Sequence, residues 1–245
     1  MGGFDAHTHL DLMGEPAAAM ARALAAGVSG VAIAGADPVR WPEVLRVGAA
    51  VGAVVTLGLH PWFVDAGWEV AVAALPRPTG GVGEIGLDWR RAGDDHVRAH
   101  QIAAFRAQLA LAREAEVPVC LHLVGAVDEG LAIAAGDGLP RPGGLVHGWS
   151  GGPGRVARAV GLGLHLSFGP RELRTRAGRA SLRVSPPSRL LLETDAPEVR
   201  VDGRAAEPAD LRRVAEAAGP LIGLAPEALL RRAGDEARRL FLVQS

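Results

Sequence analysis

The apolar residues of this chain fall into short, nearly continuous runs separated by longer stretches of mixed character. Eight runs read as strands: Gly3–Asp5, Gly30–Gly35, Ala53–Leu59, Gly81–Leu87, Val117–Leu121, Gly143–Val146, Leu162–Phe168 and Leu190–Thr194. Most are apolar at nearly every position rather than at alternate ones. That suits strands covered on both faces, as in a parallel sheet. The stretches between them carry apolar residues at helical spacing, most clearly Pro16–Ala26, Trp41–Val51, Val97–Ala115, Asp128–Ala135 and Gly154–Val160. In Val97–Ala115, the positions Ile102, Phe105, Leu109 and Ala112 step by three or four and make one apolar face. From Pro208 to Leu242 the pattern predicts two or three further helices, broken near Gly219-Pro220 and Leu224-Ala225-Pro226.

Strand and helix alternate, and every crossover is long enough for a right-handed β-α-β unit. Eight such units within 245 residues predict one α/β domain, residues 1–245, built as a (β/α)8 TIM barrel with extra C-terminal helices. A doubly wound open sheet is the second reading, because periodicity does not see closure. No Gly-x-Gly-x-x-Gly follows the first run, which weakens its dinucleotide-binding version.

Composition narrows the chemistry. At 49% hydrophobic the chain can bury a large core, and a net charge of -1 excludes a molecule that is basic all over for nucleic acid or an acidic membrane. No apolar run is long and uncharged enough to span a bilayer, so no membrane partner is expected, and no feature implies an obligate protein partner. Cys120 is the only cysteine, which excludes an intrachain disulfide and points to a reducing cytoplasm. Met1-Gly2-Gly3-Phe4-Asp5 does not read as a signal peptide. The chain contains no Lys, so neither a Schiff base nor a carbamate bridge between metals is available to it.

In a barrel, chemistry sits at the C-terminal ends of the strands. Asp5-Ala6-His7-Thr8-His9 places two imidazoles two residues apart, on one side of an extended chain, as a pair of metal ligands. His60 follows the third run, Glu84 and Asp88 flank Gly86 in the fourth, His122 and His147 close the fifth and sixth, and Asp195 closes the eighth. Singly, each reads as a hydrogen-bonded His or a helix N-cap. Together, ionisable groups at one end of so many apolar strands are costly unless they share a site, and divalent cations supply the missing positive charge. Gly86 is read as leaving room for the ions. Strand parity makes Glu193 and Asp5 candidates to fix the tautomer of a ligand imidazole.

These segments, with Gly58-Leu59-His60-Pro61, Pro118-Val119-Cys120-Leu121-His122, Val146-His147-Gly148-Trp149-Ser150-Gly151 and Leu192-Glu193-Thr194-Asp195-Ala196-Pro197, resemble the TatD-type metal-dependent deoxyribonucleases in order and from end to end. The resemblance implies two divalent metal ions (Zn, Mn or Mg): one on His7, His9 and Asp195, the other on His122 and His147, with Glu84 bridging. It implies DNA as substrate, as single strands or ends, and hydrolysis of a phosphodiester by a water that two cations activate. Asp195 is expected to orient or deprotonate that water, and His60 to bind the phosphate, protonate the leaving oxygen, or merely order its turn. Arg171, Arg174 and Arg176, after the seventh run, are candidate substrate-phosphate contacts, with Arg90 and Arg91 extending the rim. Trp62, Trp89 and Trp149 are candidate base-stacking platforms, packing of the loops being the plainer reading.

The chain departs from the family at three places. Val124 stands where an Arg is usual, Ala206-Glu207-Pro208 replaces Asn-x-Pro, and Glu236 replaces an Asn. Two alternatives therefore stand beside the nuclease: a barrel hydrolase of an ester, lactone or amide, and a decayed, non-catalytic relative.

Overall fold

A computed structural model describes residues 2–77 and 79–242. Eight parallel strands pair in sequence order: β1 (Gly3–Thr8), β2 (Val28–Gly35), β3 (Val54–Leu57), β4 (Val82–Asp88), β5 (Val119–Val124), β6 (Gly144–Val146), β7 (Leu164–Phe168) and β8 (Leu190–Leu192). The outer shell of helices is α1 (Pro16–Ala25), α2 (Trp41–Val51), α3 (Trp68–Ala73), α4 (Asp95–Ala115), α5 (Val127–Asp137), α6 (Val156–Gly161), α7 (Pro170–Leu173), α8 (Arg176–Val184), α9 (Leu211–Ala218) and α10 (Pro226–Leu242). This is the TIM barrel with added C-terminal helices, not the open sheet. The short β9 (Arg200–Val201) and β10 (Arg204–Ala205) form a hairpin after β8 that the hydrophobic pattern does not announce.

Side-chain alternation divides the core. Val31 and Ile33, Val119 and Leu121, and Leu190 and Leu192 pack in the cluster that also holds Ala23, Val44, Phe105, Leu109 and Leu211 of the helices. The residues between them, Ala32, Cys120 and Leu191, join Phe4, Ala6 and Leu145 in a second cluster. Leu240 and Phe241 of α10 complete that cluster, Phe241 stacking on Phe4 at 6.0 Å. The last helix thus fills the strands' N-terminal end and leaves the opposite end for chemistry.

Among the described residues no ladder joins β8 to β1. The ring closes instead through single bonds: the Asp195 N–H donates to the His7 carbonyl (3.1 Å) and the His9 N–H to that of Ala196 (2.6 Å). The Asp5 carboxylate accepts from the Thr194 N–H (2.9 Å) and hydroxyl. Asp5 is thereby a clasp across the seam. It does not face a ligand imidazole, which corrects the role that strand parity suggested. Gly86 is corrected too: with φ +137, a Cβ there would lie 2.2 Å from the His122 carbonyl, so strand packing rather than room for ions demands glycine.

Candidate metal centre

Three strands, and the segments that follow β1, β6 and β8, deliver the ionisable groups to one end of the barrel. β1 carries His7 and presents His9 just beyond it, β4 carries Glu84 and Asp88, and β5 carries His122, which lies inside the strand rather than at its end. His147 follows β6. Asp195 follows β8 in the left-handed region, at φ +51, a conformation that Asp tolerates better than most residues.

Glu84 is the hub. Its Oε1 lies 2.7 Å from His122 Nδ1, 2.8 Å from His147 Nε2 and 3.3 Å from His60 Nε2. Its Oε2 lies 3.4 Å from His7 Nε2 and 3.7 Å from His9 Nε2. Asp195 Oδ1 completes the second group, 3.8 Å from His7 and 3.6 Å from His9. The ligating atoms of His7, His9 and Asp195, of His7, Glu84 and His147, and of His60, Glu84 and His122 each fall within 4.8 Å of one another. Buried His7 Nε2 has no hydrogen-bond partner, an arrangement that costs stability unless something else engages it.

The groups behind the imidazoles fix their tautomers. His9 Nδ1 donates to the Ala34 carbonyl (2.9 Å), which frees Nε2 as a lone pair. His7 Nδ1 sits 3.3 Å from Cys120 Sγ. His60 Nδ1 accepts from the Trp62 N–H (3.1 Å), so the neutral ring carries its proton on Nε2, facing the site. Glu193 Oε1 lies 3.5 Å from His147 Nδ1, which has no hydrogen-bond partner, and accepts from the Gly148 N–H (2.8 Å). Asp88 Oδ2 lies 3.3 Å from His122 Nε2.

Electrostatics follow the geometry. Burial works against the Glu84 carboxylate, but His147, His60 and His7 outweigh it and hold its pKa well below the ordinary range. Burial also opposes charge on His147, yet Glu84 and Glu193 raise it well above the usual imidazole value. His60 is pushed down to about 4, chiefly by burial.

The arginines separate. Arg171 Nη2 donates to Asp195 Oδ2 at 3.0 Å and lines the cleft. Arg174 turns instead to the Arg200 carbonyl, and neither it nor Arg176 lines the cleft. The basic stretch folds as two short helices with Arg174 in the turn between them, so its side chains leave toward different surfaces.

Two functional residues escape the sequence reading. Gln101 and Gln108 are buried on α4. Gln101 accepts from the Asp88 N–H (3.0 Å) and donates to the Pro61 carbonyl (3.1 Å). Gln108 accepts from the Leu59 N–H (2.7 Å) and donates to its carbonyl (3.2 Å). Together they brace the segments that bear His60 and Asp88. Their seven-residue spacing on one helix face was the available signal.

The family model of TatD-related DNases matches residues 4–242. The chain belongs to that family. Among its TatD-family relatives, an uncharacterized metal-dependent hydrolase, YjjV of Escherichia coli, is 33% identical over 83% of each chain. The 3′-5′ ssDNA/RNA exonuclease TatD of Erwinia billingiae is 32% identical over 90% of each. The crystal structure of the Escherichia coli YjjV protein superposes with a TM-score of 0.87 at 28% identity, covering 99% of this chain and 98% of that one. A TatD-family hydrolase from Entamoeba histolytica, at 15% identity and a TM-score of 0.85 over 100% and 99% of the two chains, shares the fold. This TatD-family protein is therefore a metal-dependent hydrolase, and DNase chemistry is what its family is named for.

Proposed function

We propose that the chain is a two-metal phosphodiesterase that removes nucleotides from the 3′ end of single-stranded nucleic acid, acting as one unit over residues 1–245 in a reducing cytoplasm and without an obligate protein partner. The observation that carries the reading is the division of Glu84. One oxygen faces His7 and His9, the other His122 and His147. A carboxylate shared in this way could give one oxygen to each of two cations. His7, His9 and Asp195 would hold one ion and His122 and His147 the other, with Glu84 between them. The mixed imidazole and carboxylate donors admit Zn, Mn or Mg. Bound there, the pair would supply the positive charge that makes water a nucleophile near neutral pH and offsets charge on the phosphate.

The remaining steps belong to side chains. Asp195, whose carboxylate accepts from Arg171 at 3.0 Å, would take a proton from the attacking water. His60 presents Nε2–H inward and would donate to a phosphoryl oxygen. Arg171 is the one arginine of the basic stretch assigned to the scissile phosphate. Relatives named 3′-5′ ssDNA/RNA exonucleases support the polarity and the single-stranded substrate.

The test is release of mononucleotides from 3′-labelled single-stranded DNA with Mg, Mn or Zn supplied, beside panels of esters, lactones and amides. Glu84→Ala is expected to abolish cleavage and to lower bound metal below two ions per chain. Intact phosphodiesters with turnover of an ester would overturn the assignment and favour the other hydrolase. No turnover together with less than one bound ion would favour a decayed site.

A further inference from the structure

The metal site explains only the floor of the cleft. Its outer wall is apolar and exposed: Leu12, Trp62 and Phe63 are 42%, 46% and 43% exposed, and all three line the opening, about 810 Å³ out to its rim. Three large apolar side chains left in water on one wall of a binding cleft mark a contact surface. Of the three tryptophans near motif residues, Trp149 is core, at 1% exposure, and Trp89 sits outside this cleft with Arg98 over its ring. Trp62 alone borders the metal-binding residues. Its Nε1–H donates to Asp88 Oδ2 (2.7 Å) and the Arg91 guanidinium covers its ring at 3.7 Å. With Arg91 on one face and Asp88 holding Nε1, the half-exposed ring is held rigid, so a ligand stacking on its other face loses little to side-chain ordering.

The charges set the kind of ligand. Arg40 is tied to Asp11 at 2.8 Å, Arg171 to Asp195 at 3.0 Å, and Asp37 and Glu198 add negative charge to the same lining. Among the described residues this lining offers no row of unpaired cations along which an extended phosphate backbone would track, and Arg171 is left as a contact for a single phosphate. A flat, apolar group delivered with one phosphate fits it better.

We propose that Trp62, with Phe63 beside it, is the platform on which the unpaired 3′-terminal base stacks while its phosphodiester reaches Glu84 and Asp195. The proposal rests on the exonuclease reading above. A paired base already stacks within its duplex and hides its face, so the platform selects frayed or single-stranded ends.

The experiment compares kcat/KM for single strands ending in a normal 3′ nucleotide or in a 3′ abasic residue. Wild type is expected to prefer the base by roughly 5- to 150-fold, the span of one stacked base. Trp62→Ala brings that ratio near one, mainly by slowing the base-bearing strand. Trp62→Phe keeps the ratio, because the ring stays and only the bond to Asp88 is lost. Phe63→Ala lowers it in part. Equal slowing of both strands by Trp62→Ala, or no preference in wild type, overturns the platform and leaves Trp62 a support for Asp88. Calorimetric binding of dAMP and 2-deoxyribose 5-phosphate to the metal-supplemented protein separates the two readings. Tighter dAMP binding that Trp62→Ala erases, without any strand cleavage, keeps the platform and defeats the exonuclease. Equal binding of the two defeats the platform.

Discussion

Single residues here are set by what stands behind them. His7 and His9 are two residues apart, yet one leans on a thiol and the other on a backbone carbonyl. Behind His147 the crowding is acidic. Glu172 and Glu193 both approach Gly148, where a Cβ would lie 3.6 and 3.7 Å from their oxygens. Burial first and Glu193 second push Glu172 up to about 7. An acid raised in this way holds its proton more tightly folded than unfolded. Its contribution is therefore most favourable below the ordinary glutamate range, and stability falls as pH rises from about 4.5 to about 7. Glu172→Gln keeps an oxygen for the Gly169 N–H, now bonded at 2.9 Å, and removes the charge. The variant is expected to be more stable than wild type at pH 8 by roughly 1–3 kcal/mol, at about 2–4 °C in Tm per kcal/mol. The gap should close below pH 5. Melting curves at the two pH values decide it, and a gap independent of pH would show that repulsion is not the cause.

At the scale of elements, α4 does more than cover the barrel. Asp94 caps it by accepting from the Val97 N–H (2.9 Å), and its buried glutamines grip the turn after β3 and the last residue of β4. Replacing Gln108 by Leu leaves the Leu59 N–H and carbonyl buried without partners. That is expected to cost about 1–3 kcal/mol for each unsatisfied group and to lower kcat by displacing His60. Unfolding in urea together with steady-state kinetics checks both, and wild-type values in both would show that the grip is idle. Periodicity revealed α4 but not this function, because it registers apolar positions and treats Gln as surface. The same blindness explains α3, α7 and the hairpin, which are too short to show a period. It also explains Arg174 and Arg176, whose charges are visible in the sequence while their directions depend on the turn between α7 and α8 and on where α8 begins. The strands were legible because two-sided burial writes continuous apolar runs. His7, His9, Glu84, His122, His147 and Asp195 were legible as candidates because polar residues at the ends of such runs stand out. What each of them faces, as with Asp5 and Asp88, was not.

The whole molecule is a ring whose two ends meet at its working site. His7 and Asp195 are distant in sequence, and the backbone bond between them is one of the few links that close the barrel. Seam and site therefore share a geometry: a looser seam moves Asp195 away from His7 and His9. Asp5 is the test of this coupling, since its carboxylate ties the Thr194 N–H and hydroxyl, and more loosely the His7 N–H at 3.4 Å, without lining the cleft. Asp5→Ala strands both donors in a buried place and is expected to destabilise the fold by about 1–3 kcal/mol for each. It should also weaken divalent-metal binding, within the roughly 10- to 100-fold typical when support behind ligands is lost. Asp5→Asn, which keeps an oxygen for the Thr194 N–H, is expected to recover most of both and guards against a variant that fails to fold. Calorimetric metal titration beside thermal melting separates the outcomes. Lower stability with unchanged metal affinity in Asp5→Ala would mean that the barrel closes independently of its centre.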